Sequence, residues 1–96
     1  MTRRLVWTKR SLRRLESIGD FIANDSPMAA SKVLERLRAA AEILSAYPSA
    51  GRVGRIAGTR ELVVTDLPYI IPYRVTETSV QTITVMHTSQ RWPQKL

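Results

Sequence analysis

Phosphate chemistry and phosphate binding both call for cations near a proton carrier, and this chain supplies both kinds of residue. Arg52, Arg55 and Arg60 are interleaved with Gly51, Gly54 and Gly58 in the stretch GRVGRIAGTRELVV. Arg74 follows Tyr73, and the lone histidine, His87, precedes Arg91, Trp92 and Lys95. Glycine permits positive φ and close backbone approach, so residues 51–60 read as a shaped loop projecting its arginines from a scaffold. The same composition also describes a basic, solvated connector. Attack of an RNA 2′-hydroxyl on its phosphate needs a base, an acid and a phosphate clamp. His87 with Arg74 or Arg91 would be that set. A single histidine at a strand end serves equally well as a structural hydrogen-bonding residue. With one histidine and no cysteine, a protein-built zinc site has too few ligands, and no cofactor is expected.

The elements that must position these residues follow from periodicity. Arg3–Thr8 alternates as a short strand, with Leu5 and Trp7 on one face. Thr8 is placed to cap a helix from Lys9 to about Asn24, whose apolar stripe is Leu12, Leu15, Ile18 and Ile22. Arg10, Arg13, Arg14 and Glu16 lie away from that stripe, a solvated cationic face first and a partner surface only second. Asn24-Asp25-Ser26-Pro27 ends this helix and starts another, with Ser26 as N-cap and Pro27 at the first helical position. The second helix runs to about Ala46 on Ala30, Val33, Leu34, Leu37, Ala41 and Leu44, and Tyr47-Pro48 stops it. Three strands follow the glycine–arginine loop, at about Glu61–Val64, Tyr69–Val75 and Ser79–His87. Pro72 marks an edge or a bulge in the middle one of these. In the last strand, either alternating face could be the one that packs. The order is β-α-α-β-β-β, an α+β fold with a helical hairpin on a mostly antiparallel sheet, in one domain over residues 1–96. The tail, from Thr88 to Leu96, carries Trp92, which could stack on a base, pack on the core or insert into a partner.

Composition sets the outer limits. The 96 residues are 44% hydrophobic and 24% charged, as in an ordinary globular domain with a thin core. No apolar run is long enough for a membrane span, and the N-terminus has no signal-peptide h-region. The absence of cysteine fits a reducing compartment, and a cytoplasmic location is expected. The formal net charge is +7, and residues 1–14 hold six basic side chains and no acid. Such a surface attracts polyanions, either nucleic acid or a strongly acidic protein.

The strings GRVGRIAGTRELVV, PYIIPYRV and VMHTSQRWP resemble the ParE branch of the ParE/RelE superfamily of type II toxins. The resemblance extends upstream through LRRLESIGDFIANDSP to the Tyr-Pro pair and so covers nearly the whole chain. It implies a toxin held inactive by a ParD-like antitoxin whose disordered, acidic C-terminal segment wraps it, with DNA gyrase as target and replication blocked by binding. RelE-like members of the same fold are ribosome-dependent mRNA endonucleases. Those nucleases tend to place an arginine just after the third-strand aromatic residue. Here Ile70 follows Tyr69, and an apolar side chain cannot stabilise a phosphorane. That departure favours a binder without bond-making chemistry.

On that reading, Arg52, Arg55, Arg60, Arg91, Trp92 and Lys95 are the target-binding candidates. Antitoxin contacts are expected on the apolar faces around Leu12, Leu15, Leu37 and Leu44 not already spent on the sheet. The rival is the endonuclease, with His87, Arg74 and Arg91. A third reading is a basic nucleic-acid-binding module without toxicity.

Overall fold

The structure is a computed structural model that describes residues 2–96, so Met1, the first residue of the expected 1–96 unit, lies outside the described residues. The described chain runs β1 (Arg4–Trp7), α1 (Lys9–Ala23), α2 (Pro27–Ala46), β2 (Arg52–Val53), β3 (Arg60–Val64), β4 (Tyr69–Val75), β5 (Ser79–Thr82) and β6 (Met86–His87). Both helix starts form by the expected chemistry. The Thr8 hydroxyl accepts from the Ser11 amide at 3.2 Å, and the Ser26 hydroxyl accepts from the Ala29 amide at 3.1 Å.

The sheet order is β1-β5-β4-β3-β2, with β6 also paired to β4. All pairings are antiparallel except β1 with β5, which run parallel. The helical hairpin covers one face. Leu15 and Ile18 from α1 and Leu37, Ala40, Ala41 and Leu44 from α2 meet Leu62, Val64, Tyr69, Ile71, Tyr73, Val80 and Val85 from the sheet. Leu5 and Trp7 of β1 pack against the rim of this core.

The last strand departs from the single expected run Ser79–His87. β5 pairs Tyr73 with Thr82, whereas β6 pairs Ile70 with Met86. Between these pairs β4 has Ile71 and Pro72, but the returning chain has Ile83, Thr84 and Val85. The extra residue is a bulge, and it sits opposite Pro72. Pro72 has no amide to donate there, and its carbonyl still accepts from the Ile83 amide at 2.9 Å. Of the two expectations for Pro72, the bulge is the one realised, in a central strand.

The bulge also resolves which face packs. One extra residue inverts the alternation, so Val80 faces the helices before it and Val85 after it. It thereby brings His87 to the Tyr69 side of the sheet. Pro72, Ile70 and Met86 are buried on the sheet's other side.

Leu12 is the exception on the α1 stripe, at 49% exposed, and the buried Ser11 takes the inner position instead. Its hydroxyl meets the Thr82 hydroxyl at 2.7 Å, which ties α1 to β5. Leu37 and Leu44 are fully enclosed and Leu15 is 2% exposed. We therefore expect Leu37→Ala or Leu44→Ala to lower unfolding free energy by about 2–5 kcal/mol, and Leu12→Ala by under about 1 kcal/mol. Urea denaturation of the three variants checks this, and a Leu12 effect as large as that of Leu37 would contradict the assignment.

Candidate functional site

Strand alternation on β3 sends Leu62 and Val64 to the helices and Glu61 to the opposite face, where Glu61 pairs in register with Arg52 on β2 and with Pro72 on β4. The Glu61 side chain is buried, with a relative exposure of 1%. A carboxylate taken out of water needs several charged donors. Arg52 supplies Nε and Nη2 to Oε1 at 3.1 and 2.9 Å. Arg55 donates its main-chain amide and Nε to Oε2 at 2.8 and 3.1 Å, and Nη2 to Oε1 at 3.2 Å. Burial works against ionisation, but the Arg55 amide and the two guanidinium groups outweigh it, and the Glu61 carboxyl is held below its ordinary range.

The loop before it is shaped by contacts that leave no room for side-chain variation. Tyr73 is buried and donates its hydroxyl to the Pro48 carbonyl at 2.6 Å while accepting from the Gly51 amide at 2.9 Å. Burial pushes the Tyr73 phenol up, so it stays a neutral donor. A Cβ on Gly51 would lie 2.6 Å from the Tyr73 hydroxyl and 2.7 Å from the Glu61 carbonyl, so only glycine fits. Gly58 takes φ 78° at the loop tip. Arg60 turns back and donates to the Gly51 carbonyl at 2.8 Å.

The tail joins this structure through Arg55, whose guanidinium lies 3.8 Å from the Trp92 ring centroid. Trp92 in turn lines a cleft of about 600 Å³ with Arg10, Arg13, Arg14 and Ser17 of α1, Thr84, Met86, Gln90, Arg91 and Pro93. Arg14 is fixed there by the Val85 carbonyl at 3.0 Å.

These positions separate the sequence-derived candidates. Arg52 and Arg55 are not free projections of the loop, because both are bonded to Glu61, although their side chains stay 54% and 44% exposed. Arg91 and Trp92 come together in the cleft, and Lys95 is exposed in the tail. His87, Arg74 and Arg91 do not form one constellation. Arg74 pairs with Gln81 at one end of β4, whereas His87 pairs with Tyr69 at the other, five residues away and so roughly 17 Å along the strand. The His87 ring meets Tyr69 edge-on at 5.3 Å, and its Nδ1 accepts from the Ser89 amide at 3.1 Å.

Of the antitoxin candidates, Leu37 and Leu44 are corrected to core residues, since helix–sheet packing leaves them no accessible surface. Leu12 and the edge of Leu15 instead line a groove of about 540 Å³ between the two helices, with Gly19, Ala23, Ala30 and Leu34 as its apolar walls. Glu16, Asp20 and Arg38 form its polar rim. Sequence reasoning missed Glu61 as part of a site and gave the α1 arginines a partner role only second. The available signal for Glu61 was an acid directly beside an arginine loop, on the strand face opposite Leu62 and Val64.

Comparison with known proteins agrees with this geometry. Residues 5–92 match the family described as ParE toxin of the type II toxin–antitoxin system parDE. A Sinorhizobium fredii relative carrying the toxin name Y4kP is 52% identical over 98% of this chain and 97% of its own length. Toxin RelE2 of Caulobacter vibrioides is 41% identical over 90% of this chain and 96% of its own. A solved structure from the chromosomal ParDE toxin–antitoxin system of P. aeruginosa superposes with a TM-score of 0.81, at 25% identity, over 90% of this chain and 96% of that one.

We expect Glu61→Gln to lower unfolding free energy by about 2 kcal/mol, and so Tm by roughly 10 °C. Because the folded-state pKa is depressed, the charge-linked part of this stability is complete above the ordinary value of 4.5 and is lost as pH falls through the folded value. Thermal melts of both proteins from neutral to acid pH should therefore converge at low pH. Parallel curves would show that the charge of Glu61 is not what anchors the loop.

Proposed function

The chain belongs to the ParE toxin family of type II toxin–antitoxin systems, and we propose that it acts by binding its target, without bond-making chemistry of its own. The observation that carries this reading is the separation of the only histidine from Arg74 along β4, together with the buried, apolar surface of Ile70, Pro72 and Met86 on the open side of the sheet. The carboxylate on that side, Glu61, is taken up by Arg52 and Arg55, and no histidine joins them. DNA gyrase is the proposed target, with exposed cations of the loop and tail, Arg52, Arg55, Arg91 and Lys95, as contacts. The name RelE2 of one relative motivates the ribosome-dependent endonuclease as the rival. The geometry weighs against it.

The proposed partner is an antitoxin of the ParD type, in keeping with the ParDE system of the structural neighbour. An amphipathic antitoxin helix fits the groove between α1 and α2, where Leu12 is exposed above Leu15 and Leu34. An acidic segment also complements the chain's net charge of +7. An antitoxin segment of this kind orders as it binds, so it must bury apolar area to hold on.

Two measurements check these readings. Purified protein in excess should arrest supercoiling by purified gyrase and leave no codon-phased cuts in primer extension on induced cells. Unchanged supercoiling, or phased cuts, would reject the binding mechanism. Leu12→Glu should keep the melting temperature within a few degrees and weaken antitoxin binding roughly 10–100-fold, the equivalent of one buried leucine. Undiminished affinity would move the antitoxin helix off this groove.

A further inference from the structure

The cleft between α1 and the tail has a composition of which the gyrase reading uses only Arg91 and the antitoxin reading nothing. Arg10, Arg13 and Arg14 lie on successive turns of α1, and Arg91 faces them from the tail. No aspartate or glutamate lines the cleft. Among the described residues no aspartate or glutamate comes within salt-bridge distance of these four arginines, in contrast to Arg36, Arg52 and Arg55. Four guanidinium groups therefore share one concavity with no acidic side chain among them. Two of them are already oriented by main-chain oxygens, Arg14 by Val85 and Arg10 by Leu96. The rest of the lining is apolar or neutral: Met86, Pro93 and the Trp92 ring, which Arg55 steadies at 3.8 Å.

A carboxylate-bearing peptide would need only the charge. A nucleotide uses both parts of this lining, because planar guanidinium forks match phosphate oxygens and an aromatic ring beside them gives a base a stacking surface. The volume of about 600 Å³ is in the range of small-ligand sites and holds one or two nucleotides, not a duplex. We propose that this cleft is a binding site for single-stranded nucleic acid, with backbone phosphates on Arg10, Arg13 and Arg91 and an unpaired base against Trp92. The proposed role is binding alone: His87 is not in the lining but in an adjoining depression with Tyr69 and Phe21, which shares Arg14, Ser17 and Gln90 with the cleft. The proposal does not depend on which macromolecule the toxin arrests.

The test is fluorescence anisotropy of a labelled oligothymidylate titrated with the full-length protein at several salt concentrations. Binding should weaken with salt. Arg13→Gln should reduce the steepness of the log K against log salt plot by about 0.7, the contribution of one single-strand phosphate contact. Arg10→Gln and Arg91→Gln should each weaken binding roughly 5–10-fold, whereas Arg38→Gln, an equal loss of charge on the rim of the α1–α2 groove, should leave it within about twofold. Trp92→Leu, in a background where Trp7 is replaced by Phe, should abolish the tryptophan quenching seen on binding. Arg13 and Arg91 are exposed, so these variants are expected to melt with the parent protein. An Arg38→Gln effect equal to that of the cleft variants would reduce the site to general charge attraction. Polyglutamate competing as well as the oligonucleotide would make it a peptide site. Either result, or salt-insensitive binding, overturns the proposal.

Discussion

One buried carboxylate organises the part of this molecule that is neither helix nor regular sheet. Glu61 sits on the sheet face away from the helices, and its two oxygens are shared between Arg52 and Arg55. It ties down the arginine side of the loop, beside the Tyr73 and Arg60 bonds that hold Gly51. With it, the loop closes over β3, β2 forms as its two-residue start, and Arg55 is left in place to hold Trp92. The tail is thus fastened through a relay that begins in the interior: carboxylate, guanidinium, indole. Arg14 and Arg10 fasten it from the other side, Arg14 through the Gln90 side-chain oxygen and Arg10 through Leu96.

The two sides of the sheet do different work. The helix side is a packed core in which Leu37 and Leu44 are sealed, so the surface proposed for a partner on that side is what the helices present outward around Leu12. The open side holds Ile70, Pro72 and Met86 beside the Glu61 cluster, and the bulge opposite Pro72 turns His87 away from it. By inverting the alternation after Ile83, this one backbone feature puts the chain's single histidine on the opposite face of the sheet from Arg74.

Much of this was legible in the residues. Thr8, Ser26 and Pro27 announced the helix starts, and Pro72 announced a break in ladder bonding, each through local chemistry that tertiary contacts did not override. The family resemblance carried by GTREL and PYII agreed with the fold. What could not be read was long-range. Nothing local distinguishes Leu12 from Leu15 on the α1 stripe, because the choice depends on where the sheet lies beneath them. The bulge placement requires knowing that Ile83–Val85 face Pro72, and the single run expected from Ser79 to His87 missed it. The arginines of α1 read as a solvated face until the tail was seen to fold across them. Glu61 looked like an ordinary strand residue because its partners precede it in a loop whose shape the sequence alone did not specify.

The claim on which the rest depends is that Glu61 is ionised in the interior and holds the loop by charge. Side-chain carboxyl carbon chemical shifts, followed by NMR through an acid titration, read that ionisation directly. The account predicts that the Glu61 carboxyl stays charged below 4.5, the ordinary value for a glutamate. A Glu61 resonance that titrates at that value, or above it, would contradict it.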